Sequence, residues 1–94
     1  MSLPIFVDID GTLTSTPHDA NGPVHQDRVT HLREMIVSGV EIVVWSARGT
    51  AYARAFCDEH QLDVVAIGKP ETCVDDKPTI RAAGLKVVPP ENFF

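Results

Sequence analysis

Short apolar runs, each closed by a polar or glycine-containing turn and separated by helix-patterned segments, constrain this chain most. Residues 3–7, 41–45 and 64–67 are nearly continuous aliphatic and aromatic stretches. Runs that short and that uniformly apolar suit parallel strands buried on both faces. Between the first two, Val29, Leu32, Ile36 and Val37 recur at helical spacing over residues 26–38, and Gly39 is a natural stop. Between the second and third, Thr50 is the candidate cap of a helix that ends near His60, with Tyr52, Ala55 and Phe56 on its inner side. Residues 72–74 predict a short fourth strand. Pro78 suits the first turn of a short helix ending at Gly84, and residues 85–88 predict a fifth strand that Pro89-Pro90 stops. Residues 14–24, with two prolines, Asn21 and Gly22, predict a loop or small flap. The alternation implies βαβ units, right-handed crossovers and an α/β fold with a mostly parallel five-stranded sheet.

The chain has 94 residues, the size of a single domain spanning 1–94. Its apolar (44%) and charged (22%) fractions are those of a globular domain and too apolar for general disorder. A net charge of −5 argues against a protein that grips nucleic acid through a basic surface. No apolar run reaches the roughly 20 residues of a membrane span, so no membrane partner is expected. The opening Met1-Ser2-Leu3-Pro4 lacks the basic start of a secretory signal. Cys57 and Cys73 have no CxxC spacing and are too few for a disulfide scaffold, which makes the cytoplasm the default location.

In parallel α/β sheets the reactive groups gather beyond the carboxyl ends of the strands. Here Asp8 and Asp10 follow the first run, Ser46 and Arg48 the second, Lys69 the third, and Asp75 and Asp76 the fourth. Four of the thirteen acids and two of the eight bases, Arg48 and Lys69, therefore belong to one predicted edge, leaving nine acids against six bases elsewhere. Several carboxylates at neutral pH repel one another unless a cation intervenes. Hard oxygen ligands suit Mg²⁺, which binds through one or two carboxylates plus phosphate oxygens. The metal and Lys69 together would neutralise a phosphoryl group. A carboxylate can attack phosphorus, Ser46 can hold a phosphoryl oxygen, and Asp10 can carry a proton.

Asp8-Ile9-Asp10-Gly11-Thr12-Leu13-Thr14 resembles the first motif of the haloacid dehalogenase (HAD) phosphohydrolase superfamily. Ser46 matches its second motif, Lys69 its third, and Asp75-Asp76 the DD form of its fourth, in the family's order across residues 5–76. The resemblance implies a Rossmannoid three-layer domain and a Mg²⁺-dependent phosphatase working through an aspartyl-phosphate. Asp8 would be the nucleophile and Asp10 the acid and base. Gly11, Thr12, Ser46, Arg48 and Lys69 would bind the phosphate or leaving group. Mg²⁺ would be held by Asp8, the Asp10 carbonyl and Asp76, with Asp75 nearby. Neither gap between motifs has room for a folded cap. Capless members act on large substrates or borrow a neighbouring subunit as a lid, which makes a homo-oligomer one expectation. Similarity to capsular-sugar phosphatases and to the phosphatase domain of polynucleotide kinase leaves a sugar phosphate, a nucleotide or a nucleic-acid end as substrate.

Other readings fare worse. An EF-hand counted from Asp8 needs Gly and Glu where Leu13 and Asp19 stand. Gly68-Lys69-Pro70 lacks the glycine spacing and hydroxyl of a P-loop. A response-regulator receiver domain has its acidic pair and phosphoacceptor in the opposite order. A non-catalytic phosphate- or metal-binding domain and a phosphotransferase stay open as alternatives to a hydrolase. Among the remaining residues, His18 and His25 lie in or beside the flap and His31 and His60 read as surface positions. Trp45 and Cys73 read as sheet core, and Cys57 as a small buried hydrophobe.

Overall fold

The computed structural model of the chain describes residues 3–16, 22–74, 76 and 87–94. Among these residues six elements run in the order β1 (Ile5–Asp8), α1 (Gln26–Val37), β2 (Ile42–Ser46), α2 (Thr50–Glu59), β3 (Val65–Gly68) and α3 (Pro90–Phe93). The three strands form one parallel sheet in the order β1-β2-β3. Its register sets Asp8 opposite Trp45, and Ser46 opposite Gly68. The carboxyl ends of all three strands therefore lie on one edge of the sheet. Each strand is joined to the next by a helix, as parallel pairing requires.

The core collects on one face of this sheet. Val7, Val44 and Ala66 sit in one cross-strand row and are buried with Val29 and Leu32 of α1 and Ala53, Phe56 and Cys57 of α2. On the opposite side of the strands Phe6 and Val65 are exposed, and Trp45 and Ile67 are half-buried. In β1 and β3 that difference is the period-two alternation of strands covered on one face, whereas β2 buries Val43 on the other side as well. Among the described residues the arrangement is thus two layers, a sheet and its helices, rather than three.

The structure corrects several expectations. The described residues contain three strands, not five. Residues 72–74 carry no strand and are exposed, so Cys73 is a surface thiol and not part of the sheet core. With no described strand on its outer side, β1 is an edge here, and β2 is the strand with two neighbours. Trp45 is half-buried, its ring 4.5 Å from that of Phe6. Val87 and Val88 carry no strand either; residues 85 and 86 and the helix expected from Pro78 lie outside the described residues. Helix α1 buries Val29 and Leu32 but leaves Val37 exposed. Thr50 is the first residue of α2 and not its cap; Gly49 holds that position at φ +107°, where only glycine is unstrained. Ala55 faces solvent, whereas Ala53 and Cys57 face the core. His60 is no surface residue: its side chain is 14% exposed and its ring lies 4.4 Å from Phe56.

No helix among the described residues is long and apolar enough to cross a membrane. Two consequences of the core can be measured. Leu32 is fully buried, and Leu32→Ala should cost about 2–5 kcal/mol in urea unfolding; a loss well under 1 kcal/mol would contradict its placement. Burial pushes the Cys57 thiol from 9.0 up to about 11. A thiol reagent should therefore label Cys73 quickly in the native protein and Cys57 only on unfolding. Because the folded value lies above the unfolded one, this group's contribution is complete below pH 9.0 and is lost as pH rises towards 11. Cys57→Ala should flatten that alkaline decline in stability.

Candidate active site at the carboxyl ends of the strands

The first site loop is wound around one carbonyl. Ile9 O accepts the main-chain N–H groups of Thr12 (3.0 Å), Leu13 (2.8 Å) and Thr14 (3.0 Å). Ile9 and Leu13 are both fully buried, so the turn is anchored by its own apolar side chains. The hydroxyl that braces it belongs to Thr14, which accepts the Gly11 N–H at 3.3 Å and donates to Ile9 O at 3.4 Å. The loop continues into an antiparallel bridge between Thr14 and Val24, which ties the neck of the predicted flap. Arg28 of α1 donates to the Thr12 carbonyl at 2.8 Å, and its guanidinium carbon lies 5.5 Å from the Phe94 ring centroid. A residue that sequence spacing leaves on an ordinary helix thus props the loop.

The second and third strand ends share a junction at Ser46. Its carbonyl accepts the N–H of Gly49 (3.1 Å) and of Lys69 (2.9 Å). Its buried hydroxyl accepts the Arg48 N–H at 3.0 Å. One residue therefore fixes the turn that carries Arg48 and the start of the loop that carries Lys69. Gly68 closes the junction, donating its N–H to Thr50 Oγ1 at 2.8 Å.

These loops bring four predicted residues together as two acid–base pairs. Lys69 Nζ lies 3.2 Å from Asp8 Oδ1 and 5.7 Å from the Trp45 ring centroid. Arg48 Nε donates to Asp10 Oδ2. Tyr52 Oη donates to Asp10 Oδ1 at 2.8 Å. Tyr52 was not visible as a site residue in the sequence, where its helical spacing marks it only as inward-facing. The signal lay in its position: the first turn of a helix that starts at a strand's carboxyl end faces that edge. Pairs as exposed as Asp8–Lys69 contribute at most about 1 kcal/mol to stability, so fold maintenance is a weak reason for this concentration of charge.

Asp76 is exposed, and Asp75 lies outside the described residues, as does His18. Among the described residues no three His, Cys, Asp or Glu side chains form a group that could hold a metal ion. The donors at the end of β1 nevertheless fit Mg²⁺ in kind. Asp8 presents carboxylate oxygens, and no described donor is bonded to the Asp10 main-chain carbonyl. Both are hard oxygen ligands.

No protein-family model, curated protein or solved structure matches the chain.

The junction makes one firm demand. A Cβ placed on Gly68 would lie 3.1 Å from Gly49 Cα and 3.1 Å from Thr50 N, both main-chain atoms. Gly68→Ala should therefore lower stability by about 1–3 kcal/mol, read as a shift of the urea midpoint. An unchanged midpoint would mean that the Gly49–Thr50 turn yields freely.

Proposed function

We propose that this chain is a Mg²⁺-dependent phosphomonoester hydrolase of the haloacid-dehalogenase type, acting through an aspartyl-phosphate. The observation that carries this reading is the edge itself: Asp8 with Lys69 at 3.2 Å, beside Asp10 gripped by Arg48 and Tyr52, with the Ser46 hydroxyl in the turn between them. An acid that can attack phosphorus is set next to cations that can balance phosphoryl charge. The parallel β1-β2-β3 order is compatible with a Rossmannoid core.

In the proposed reaction Asp8 attacks phosphorus, an Asp8 oxygen–phosphorus bond forms, and the bond from phosphorus to the leaving oxygen breaks. The Asp10 carboxyl gives its proton to that oxygen. A water then loses a proton to Asp10 and attacks the aspartyl-phosphate, freeing inorganic phosphate and restoring Asp8. Lys69 and Arg48 balance the phosphoryl oxygens. The Ser46 hydroxyl, already accepting the Arg48 N–H, keeps its own hydrogen to donate to one of them. Asp8 and the Asp10 carbonyl would hold Mg²⁺, with the Asp75-Asp76 pair completing the set. When bound, the metal supplies charge neutralisation at phosphorus. The substrate is a sugar phosphate, nucleotide or nucleic-acid end, and a large substrate or a neighbouring subunit would cover the capless site.

The test is hydrolysis of 4-nitrophenyl phosphate with and without Mg²⁺. The wild type should turn over only with the metal, and Asp8→Asn should lose at least about a thousandfold in kcat. Equal rates for the two proteins would sink the proposal and favour a phosphate-binding role.

A further inference from the structure

We infer that Tyr52 is a positioning residue for Asp10, holding its carboxylate in the orientation that proton transfer to the leaving group needs. This rests on the reading of Asp10 as the proton carrier. Both oxygens of Asp10 are engaged, but by partners carried on different supports. Oδ2 is held by Arg48, which sits in the turn after β2 with a side chain 36% exposed. Oδ1 is held by Tyr52, on the first turn of α2. That helix is pinned by Ala53, Phe56 and Cys57, all buried in the core. The phenol is therefore placed by packing, and the guanidinium by a loop.

The asymmetry has a chemical consequence. A phosphoryl group arriving beside Asp8 offers Arg48 a dianion that matches its planar fork better than a single carboxylate oxygen does. As Arg48 turns to the phosphate, Oδ2 is released toward the leaving oxygen, and Tyr52 alone keeps the carboxylate plane in place. Freed of Arg48, Oδ2 takes up a proton from a solvent water and then gives it to the leaving oxygen, while the Tyr52 hydroxyl goes on donating to Oδ1, so Tyr52 gives up no proton. The guanidinium carbon of Arg48 already lies 5.7 Å from the Tyr52 ring centroid, which gives it a face to move along. Misplacing a catalytic group by about 1 Å can cost roughly a hundredfold in rate, so a single hydroxyl on the rigid side is enough to matter.

Tyr52→Phe keeps the ring and removes only the hydroxyl. The measurement is kcat/KM across aryl phosphates from phenyl, whose leaving group needs a proton, to 4-nitrophenyl, whose leaving group hardly does. The variant should lose about tenfold or more on phenyl phosphate and little on 4-nitrophenyl phosphate, with KM little changed. In an Asp10→Asn background the same substitution should have no further effect. A uniform loss across the series, no loss at all, or an undiminished loss in the Asp10→Asn background overturns the assignment of Tyr52 alone. A wild type without turnover on any aryl phosphate overturns the phosphatase reading, and this inference with it.

Discussion

The end of β2 is the constraint on which the rest of the edge depends. Ser46 is the last residue of the strand with two neighbours, and its carbonyl takes the N–H of Gly49 on one side and Lys69 on the other. Its hydroxyl takes the Arg48 N–H. A buried carbonyl and hydroxyl at a strand end must find donors, because leaving them unpaired costs about 1–3 kcal/mol each. Satisfying them from two different loops fixes where both cations emerge. The glycines make this geometry attainable, since Gly68 has main chain 3.1 Å from where a Cβ would be.

Around that junction the charges are sorted by partner rather than scattered. Asp8 faces Lys69, and Asp10 faces Arg48 and Tyr52. The two acids sit two residues apart, Asp8 at the end of β1 and Asp10 in the turn after it, yet each has its own cation. Bringing them together on a strand edge would otherwise set like charges against each other. The same sorting leaves Asp8 with one oxygen on a lysine and Asp10 held from a helix, which are distinct environments for two acids of identical chemistry. In the proposed phosphatase that distinction separates the nucleophile from the proton carrier. The strength of these pairs is small beside the core. They are half-exposed, whereas each large buried side chain contributes about 1.5–3 kcal/mol. Packing of Ile9, Leu13, Val44 and Leu32 holds the loops, and the charges occupy the positions that result.

Much of the outline was legible in the sequence because it rests on local chemistry. Residues 26–37 form the helix that their apolar spacing predicts, and β2 and β3 fall where β-branched runs lie. Asp8, Asp10, Ser46, Arg48 and Lys69 stand at the strand ends that a parallel sheet assigns to reactive groups. The failures have equally local causes. A three-residue run such as 72–74 has too little periodicity to separate strand from exposed chain, and here it is exposed. His60 follows the last residue of α2, where spacing suggests solvent, but its ring packs on Phe56 one turn back. Thr50 has the side chain of a cap, yet the backbone conformation needed at that point belongs to Gly49.

What the sequence by itself determined is the ends of β1, β2 and β3 and the residue types carried there, since both follow from apolar run length and from turn chemistry within a few residues. Which cation meets which acid was decided only by the tertiary structure. Arg48 and Asp10 lie 38 residues apart, Tyr52 and Asp10 lie 42 apart, and Arg28 reaches Thr12 across 16. Such contacts are fixed by the register of β1, β2 and β3 and by the core that seats α1 and α2 against them. No local pattern encodes that register. It emerges only when the apolar faces are buried together.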